Sequence, residues 1–257
     1  MKIKNWLHKN FAFTVIFCIA VILFFSLYNS IKDDDIKENL ETNKNWHDNV
    51  DIIYYINLDR RTDRNNEILE ELYRMGVPES KIQRVSGVYK PGQGDWGCSL
   101  SHLKIMRDFD KSNYKNCIIF EDDFTFQSSL KDLNNIFNNF FDSNIDYDVC
   151  MLSSNLGNTQ DTEYPFILKI NNTQTTSGYL VNKKYSKKLL NNYEEGTELI
   201  GKSYEKGKGH DIQRQYCIDQ YWKRLQDVDN WYTFNPKIGI QRDSFSDIQG
   251  EFISYKA

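Results

Sequence analysis

The sequence is short of the residues that mark several protein classes. Proline occurs four times and histidine four times in 257 residues. No Pro/Gly-rich break follows residue 49, and no internal repeat is present. With 40% hydrophobic and 26% charged residues, a fully disordered or collagen-like chain is excluded. The five cysteines form no CxxC pair and no zinc spacing. Cys117 and Cys150 lie in apolar, strand-like runs where a buried free thiol is expected. Positive charge is not in surplus either: 32 Lys and Arg against 36 Asp and Glu give a net charge of −4, so nucleic acid is not an expected partner. So few histidines weigh against a metal-dependent phosphodiesterase, which gathers acids and imidazoles around its ions.

What is abundant is apolar and aromatic material, 40% and 14% of the chain, enough for a large core. One part of it stands apart. Residues 11–28 are almost wholly apolar, and Asn10 to Ile31 carries no charged side chain. A helix rises about 1.5 Å per residue, so this run just spans a bilayer core of about 30 Å. It is longer than the apolar run of a cleaved signal peptide and lacks a good cleavage site. A buried core helix would show polar interruptions at helical spacing, and there are none. Lys2, Lys4 and Lys9 precede the run, and Asp33, Asp34 and Asp35 follow it. The charge asymmetry predicts a single-pass type II signal anchor with the remainder extracytosolic. Three parts follow: residues 1–30 as tail and membrane helix, 31–49 as a polar stem, and 50–257 as one domain.

Within that domain strands and helices alternate. Asp51–Leu58 is a continuous apolar run suited to a strand covered on both faces. A helix over Thr62–Met75 follows, stopped by Gly76 and Pro78. Strands are predicted at Ile82–Val85, Cys117–Phe120 and Asp148–Leu152, and helices at Cys98–Phe109 and Leu130–Phe141. The order predicts an α/β fold with mostly parallel pairing. Further strands are expected at Phe166–Ile170 and Ser177–Val181, and helices at Tyr185–Tyr193 and Ile218–Leu225. Residues 196–210, with four glycines, read as a mobile loop able to close over a ligand.

Four clusters carry chemistry. The first is Glu121-Asp122-Asp123, directly after an apolar strand. Ligands bind beyond the carboxyl ends of strands in open α/β sheets. Three adjacent carboxylates repel one another unless a cation or donors join them. Hard divalent ions prefer such oxygen ligands and bridge them to phosphates, so the triplet predicts a Mg²⁺ or Mn²⁺ site. The bland alternative is a polar capping turn. The second cluster, Asn57 to Arg64, gathers Arg60, Arg61 and Arg64 at a helix start, where anions are favoured; its alternative is local ion pairing. The third is Gly97–His102, where Ser99 or Ser101 can cap a helix and His102 can be a satisfied buried histidine. The fourth is Tyr216–Trp222, in which Asp219 is either an N-cap or a general base whose affinity for the proton is raised by desolvation.

Together these segments resemble glycosyltransferase family 25, which includes bacterial lipopolysaccharide β-galactosyltransferases and collagen hydroxylysine galactosyltransferases. The pieces, in order, are Tyr55–Arg64, Gly97–His102, Ile118–Asp123, Ser177–Val181, Ile218–Trp222 and Ser246–Ile248. The resemblance implies a GT-A-like, Rossmann-like domain and an inverting, metal-dependent transferase. The donor would be a UDP-sugar, and the acceptor a hydroxyl of a glycan, a lipid-linked glycan or a protein. Glu121, Asp122 and Asp123 then correspond to the metal motif. Asn57, Arg60, Arg61, Arg64, Ser101 and His102 fall on the donor side, with Asp219 as the candidate base. The segment Arg84–Tyr89 departs from the pattern, since it lacks the acid the family often carries near that glycine. A module of the same fold that binds sugar or nucleotide without turnover is the alternative.

Overall fold

The computed structural model describes residues 23–24, 26–28, 44–246 and 251–254. The chain divides into two compact units, Met1–Lys44 and Asn45–Ala257. In the first, Leu23, Phe24, Ser26, Leu27 and Tyr28 are helical. The expected signal anchor lies almost entirely outside the described residues, as does most of the stem. Among the described residues no helix is long and apolar enough to cross a membrane.

The second unit starts ahead of the expected boundary at residue 50, and Trp46 is the reason. Its ring is fully buried, its indole N–H donates to the Met75 carbonyl at 2.8 Å, and it meets Phe137 edge-on at 5.1 Å. A side chain with so large an apolar body and one satisfied donor draws its neighbours into the fold.

The central strand β1 (Ile52–Asn57) is buried along nearly its whole length. Strand alternation sends Ile53 and Tyr55 into one core and Ile52 and Tyr54 into the other. Helices α1 (Thr62–Arg74) and α3 (Leu130–Asp142) supply Ile68, Leu72, Leu133 and Phe137 to the first core. Helices α2 (Gly94–Lys111) and α4 (Ser186–Glu205) supply Met106, Phe109, Leu189 and Tyr193 to the second. The result is a sheet sandwiched between helices.

The sheet also contains β2 (Ile82–Ser86), β3 (Asn116–Glu121), β5 (Val149–Met151), β6 (Asn158–Asp161), β7 (Ile167–Asn171), β8 (Gly178–Asn182) and β9 (Trp231–Phe234). Their order is β2-β1-β3-β8-β5-β9-β7-β6. The first three strands are parallel, in the Rossmann-like manner the sequence predicts. Beyond them the sheet is mixed, because β8 runs antiparallel between β3 and β5. Strand β4 (Phe124–Phe126) leaves the sheet and pairs antiparallel with β10 (Gly239–Gln241). Strand β11 (Ser244–Ser246) pairs antiparallel with β12 (Glu251–Ile253).

Helix boundaries shift where packing overrides local pattern. The expected Ile218–Leu225 helix breaks into α6 (Ile218–Tyr221) and α7 (Lys223–Gln226), following a short α5 (His210–Arg214). More consequential is α4, which continues through residues 196–205 and absorbs much of the expected mobile loop. Gly196 and Gly201 are contact points. A Cβ on Gly196 would stand 2.8 Å from the Tyr221 ring, and one on Gly201 would stand 2.8 Å from the Trp96 ring. Trp96 cannot easily yield, since it stacks on Tyr204 at 6.2 Å with Lys90 over its ring. The glycines therefore serve close helix approach, and no lid is derived from them.

This distinction has a measurable outcome. In an exposed helix Gly→Ala stabilises by about 1 kcal/mol. Gly201→Ala should instead lower the thermal midpoint, at a cost of about 1–3 kcal/mol typical of overpacking. A raised midpoint would restore the loop reading.

Candidate functional site

A cleft opens beyond the carboxyl ends of β1, β2 and β3, lined by Asn57, Arg64, Tyr89, His102, Glu121 and Asp123 among others. The parallel strands place these residues together: Asn57 ends β1 and Glu121 ends β3. Arg64 reaches in from the first turn of α1.

The three acids are held in three different ways. Asp122 is satisfied by the protein. Its Oδ1 accepts from Arg64 Nη1 at 2.9 Å, and its Oδ2 accepts from Asn57 Nδ2 at 2.7 Å. Burial raises its carboxyl, against the pull of Arg64. Asp123 is the least satisfied. Its Oδ2 accepts from Gln241 Nε2 at 3.1 Å and lies 3.5 Å from Arg64. Its Oδ1 is buried with no hydrogen-bond partner. Burial, then the charge of Glu121, pushes this carboxyl up to about 7.

Glu121 differs again. Burial works to raise it, but donors outweigh that effect and hold it below the ordinary carboxylate range. His102 Nε2 stands 3.1 Å from Glu121 Oε1, Cys98 Sγ donates to the same oxygen at 3.7 Å, and the Thr176 hydroxyl donates there too. Cys98, His102 and Glu121 thus each bring a potential ligand atom within 4.8 Å of the others. Burial keeps the Cys98 thiol well above its usual range and therefore protonated. The trio reads as a hydrogen-bonded set whose thiol and imidazole are directed at the carboxylate. The harder oxygens of Asp123 and Glu121 are the better match for Mg²⁺ or Mn²⁺.

Other residues named from the sequence are distributed unevenly. Ser101 lines the cleft, but its hydroxyl donates to the Gly97 carbonyl at 2.7 Å and accepts from the Val88 N–H at 2.8 Å. It fastens the 87–90 loop to α2, where a Cβ on Gly97 would meet the Val88 carbonyl at 2.4 Å. Arg60 places its guanidinium 3.7 Å over the ring of Tyr89 at the rim. Arg61 turns to Asp63 at 2.8 Å. Neither arginine is among the lining residues. Asp219 also stands outside the lining, in the first turn of α6. It accepts from the Thr175 N–H at 3.2 Å and the Gln220 amide at 3.3 Å, and burial raises its carboxyl. Of the closing motif, Asp247 and Ile248 lie outside the described residues.

Several residues at the site carry no signal in the linear pattern. Thr175 adopts φ +85°, an uncommon conformation for a β-branched residue, and bridges Asp219 to Gln241 through its N–H and hydroxyl. Thr176 and Tyr179 support Glu121 and His102. The positive φ of a threonine leaves no trace in composition, and Gln241 arrives only through the long-range β4–β10 pairing.

The elevated Asp123 carboxyl fixes a sign. Its folded value of about 7 exceeds the ordinary 3.8, so the folded state holds the proton more tightly. That contribution is complete below about pH 4 and is lost as pH rises toward 7. Asp123→Asn carries no charge at any pH. In urea unfolding without divalent ions, its stability relative to the parent should therefore climb between about pH 4 and 7.5. A constant difference across that range would contradict the burial of this charge.

Comparison with known proteins bears on the segment that holds the acids. Residues 88–201 match the family model described as glycosyltransferase family 25 (LPS biosynthesis protein). Procollagen galactosyltransferases 1-A and 1-B of Xenopus laevis are 25% and 24% identical over 171 residues, covering 55% of this chain. The chain spans only 28% of the length of these curated relatives. A solved structure described as mannose-1-phosphate geranyltransferase from Thermus thermophilus overlaps 74% of this chain and 73% of its own, with 8% identity and a TM-score of 0.39. Three motif segments, Gly97–His102, Ile118–Asp123 and Ser177–Val181, fall inside the matched stretch, while Tyr55–Arg64, Ile218–Trp222 and Ser246–Ile248 lie outside it. Across residues 88–201, acidic turn included, this chain is similar to glycosyltransferase family 25.

Proposed function

We propose that this chain is a membrane-anchored, GT-A-like glycosyltransferase that moves a hexose from a UDP-sugar to an acceptor hydroxyl with inversion. Galactose is the favoured hexose, from the names of the relatives. Those names favour a protein acceptor, and the family description favours a glycan of lipopolysaccharide type. The anchor is proposed from residues 11–28 of the sequence alone.

One observation carries the reading: the buried Oδ1 of Asp123, without a hydrogen-bond partner, just past the carboxyl end of a parallel strand. A hard cation suits that oxygen, and Asp123 with Glu121 would hold Mn²⁺ or Mg²⁺. When bound, such an ion supplies positive charge against a departing diphosphate. The chain's own groups have separate tasks. Arg64 keeps Asp122 and Asp123 together and adds a positive charge at the cleft wall. Asn57 orients Asp122. Asp219, whose carboxyl burial raises, is the candidate to take the acceptor's proton. One observation favours a binding module without turnover instead: Asp219 is absent from the cleft lining.

Release of UDP from a panel of UDP-sugars, with and without Mn²⁺, tests the proposal. Turnover of one donor that depends on Mn²⁺ is expected, as is its loss in Asp123→Asn with a thermal midpoint no lower than the parent's. Calorimetric binding of UDP with Mn²⁺, but no turnover of any donor, would favour the inactive module.

A further inference from the structure

A chain of buried hydrogen bonds runs from α4 to the acidic turn. Tyr193 Oη donates to Tyr179 Oη at 3.1 Å. Tyr179 Oη lies 2.8 Å from His102 Nδ1, and His102 Nε2 lies 3.1 Å from Glu121 Oε1. Tyr179 and His102 are fully buried and Tyr193 is nearly so. The direction of the chain follows from counting donors. Each tyrosine has a single proton. Tyr193 commits its proton to Tyr179, which leaves the Tyr179 proton for His102 Nδ1. Nδ1 must then accept, and the ring proton sits on Nε2 and points at Glu121. The other end of the ring agrees, since the Glu121 carboxylate oxygen that faces Nε2 can only accept.

We propose that Tyr193 and Tyr179 are positioning residues that fix His102 as the neutral Nε2–H tautomer, and that His102 thereby commits Glu121 Oε1 to the protein. The Thr176 hydroxyl and the Cys98 thiol converge on the same oxygen. None of these donors touches Oε2, which is left as the glutamate's ligand atom. The two tyrosines come from different elements, β8 and α4. Neither lines the cleft, so they act only through the imidazole. The consequence for catalysis rests on the proposed transferase reading, whereas the tautomer itself does not.

The test is the ¹⁵N spectrum of the full chain labelled at histidine. With four histidines in the sequence, the His102 signals are identified by their loss in His102→Gln. The wild type should show protonated Nε2 and unprotonated Nδ1 at neutral pH. Tyr179→Phe, which keeps the ring and removes the hydroxyl, should shift His102 toward a mixture of tautomers. It should also lower kcat by about 10–100-fold, the range for partners that orient a ligand, in protein that is still folded. Tyr193→Phe should give a smaller shift of the same sign. A wild-type His102 protonated on Nδ1, or an unchanged His102 spectrum in a folded Tyr179→Phe, overturns the relay. Should Tyr179→Phe fail to fold, the wild-type tautomer and Tyr193→Phe decide the matter. Absence of turnover in the wild type would sink the transferase reading and leave the spectra to judge the relay.

Discussion

Everything at the cleft follows from packing three consecutive carboxylates at the end of a buried strand with one guanidinium among them. Arg64 contacts two of the acids, and an imidazole faces the third. The protein thus supplies less positive charge than the turn demands. Desolvation makes that deficit expensive, since buried charges are tolerated only with partners. The chain meets the demand unevenly: Asp122 is fully paired, Glu121 is saturated at one oxygen, and Asp123 is left short.

The turn cannot relieve this repulsion by swinging outward, because the residue after it is pinned. Phe124 is fully buried and lies between two glycines. A Cβ on Gly178 would come within 2.7 Å of its ring, and one on Gly239 within 2.1 Å. Those glycines belong to β8 and β10, so two strands from later in the chain clamp the ring that follows the acids. Rigid support of this kind is what a charged site needs in order to stay assembled without its ligand.

The sequence made the skeleton of this arrangement legible. The apolar runs at 51–58 and 117–120 identify the central strands because burial on both faces removes alternation. Glu121–Asp123 stands out because charge follows such a run directly. Other features were hidden for identifiable reasons. The antiparallel entry of β8 between β3 and β5 is a long-range pairing that no local periodicity encodes. Gly196 and Gly201 look like hinge residues in a linear reading, although their role is set by Tyr221 and Trp96, distant in the chain. Arg60, Arg61 and Arg64 are equivalent in composition, yet helix geometry delivers only Arg64 into the cleft.

The bond between Gln241 and Asp123 joins positions 118 residues apart. During synthesis, the sheet strands β1 to β3 and the acidic turn emerge long before β10 exists. The nascent domain therefore carries its negative turn without the amide, and without one of the two glycine walls, until β10 has been made. A ribosome-stalled or proteolytically clipped product ending before residue 239 would keep most of both hydrophobic cores while leaving the acidic turn unbraced.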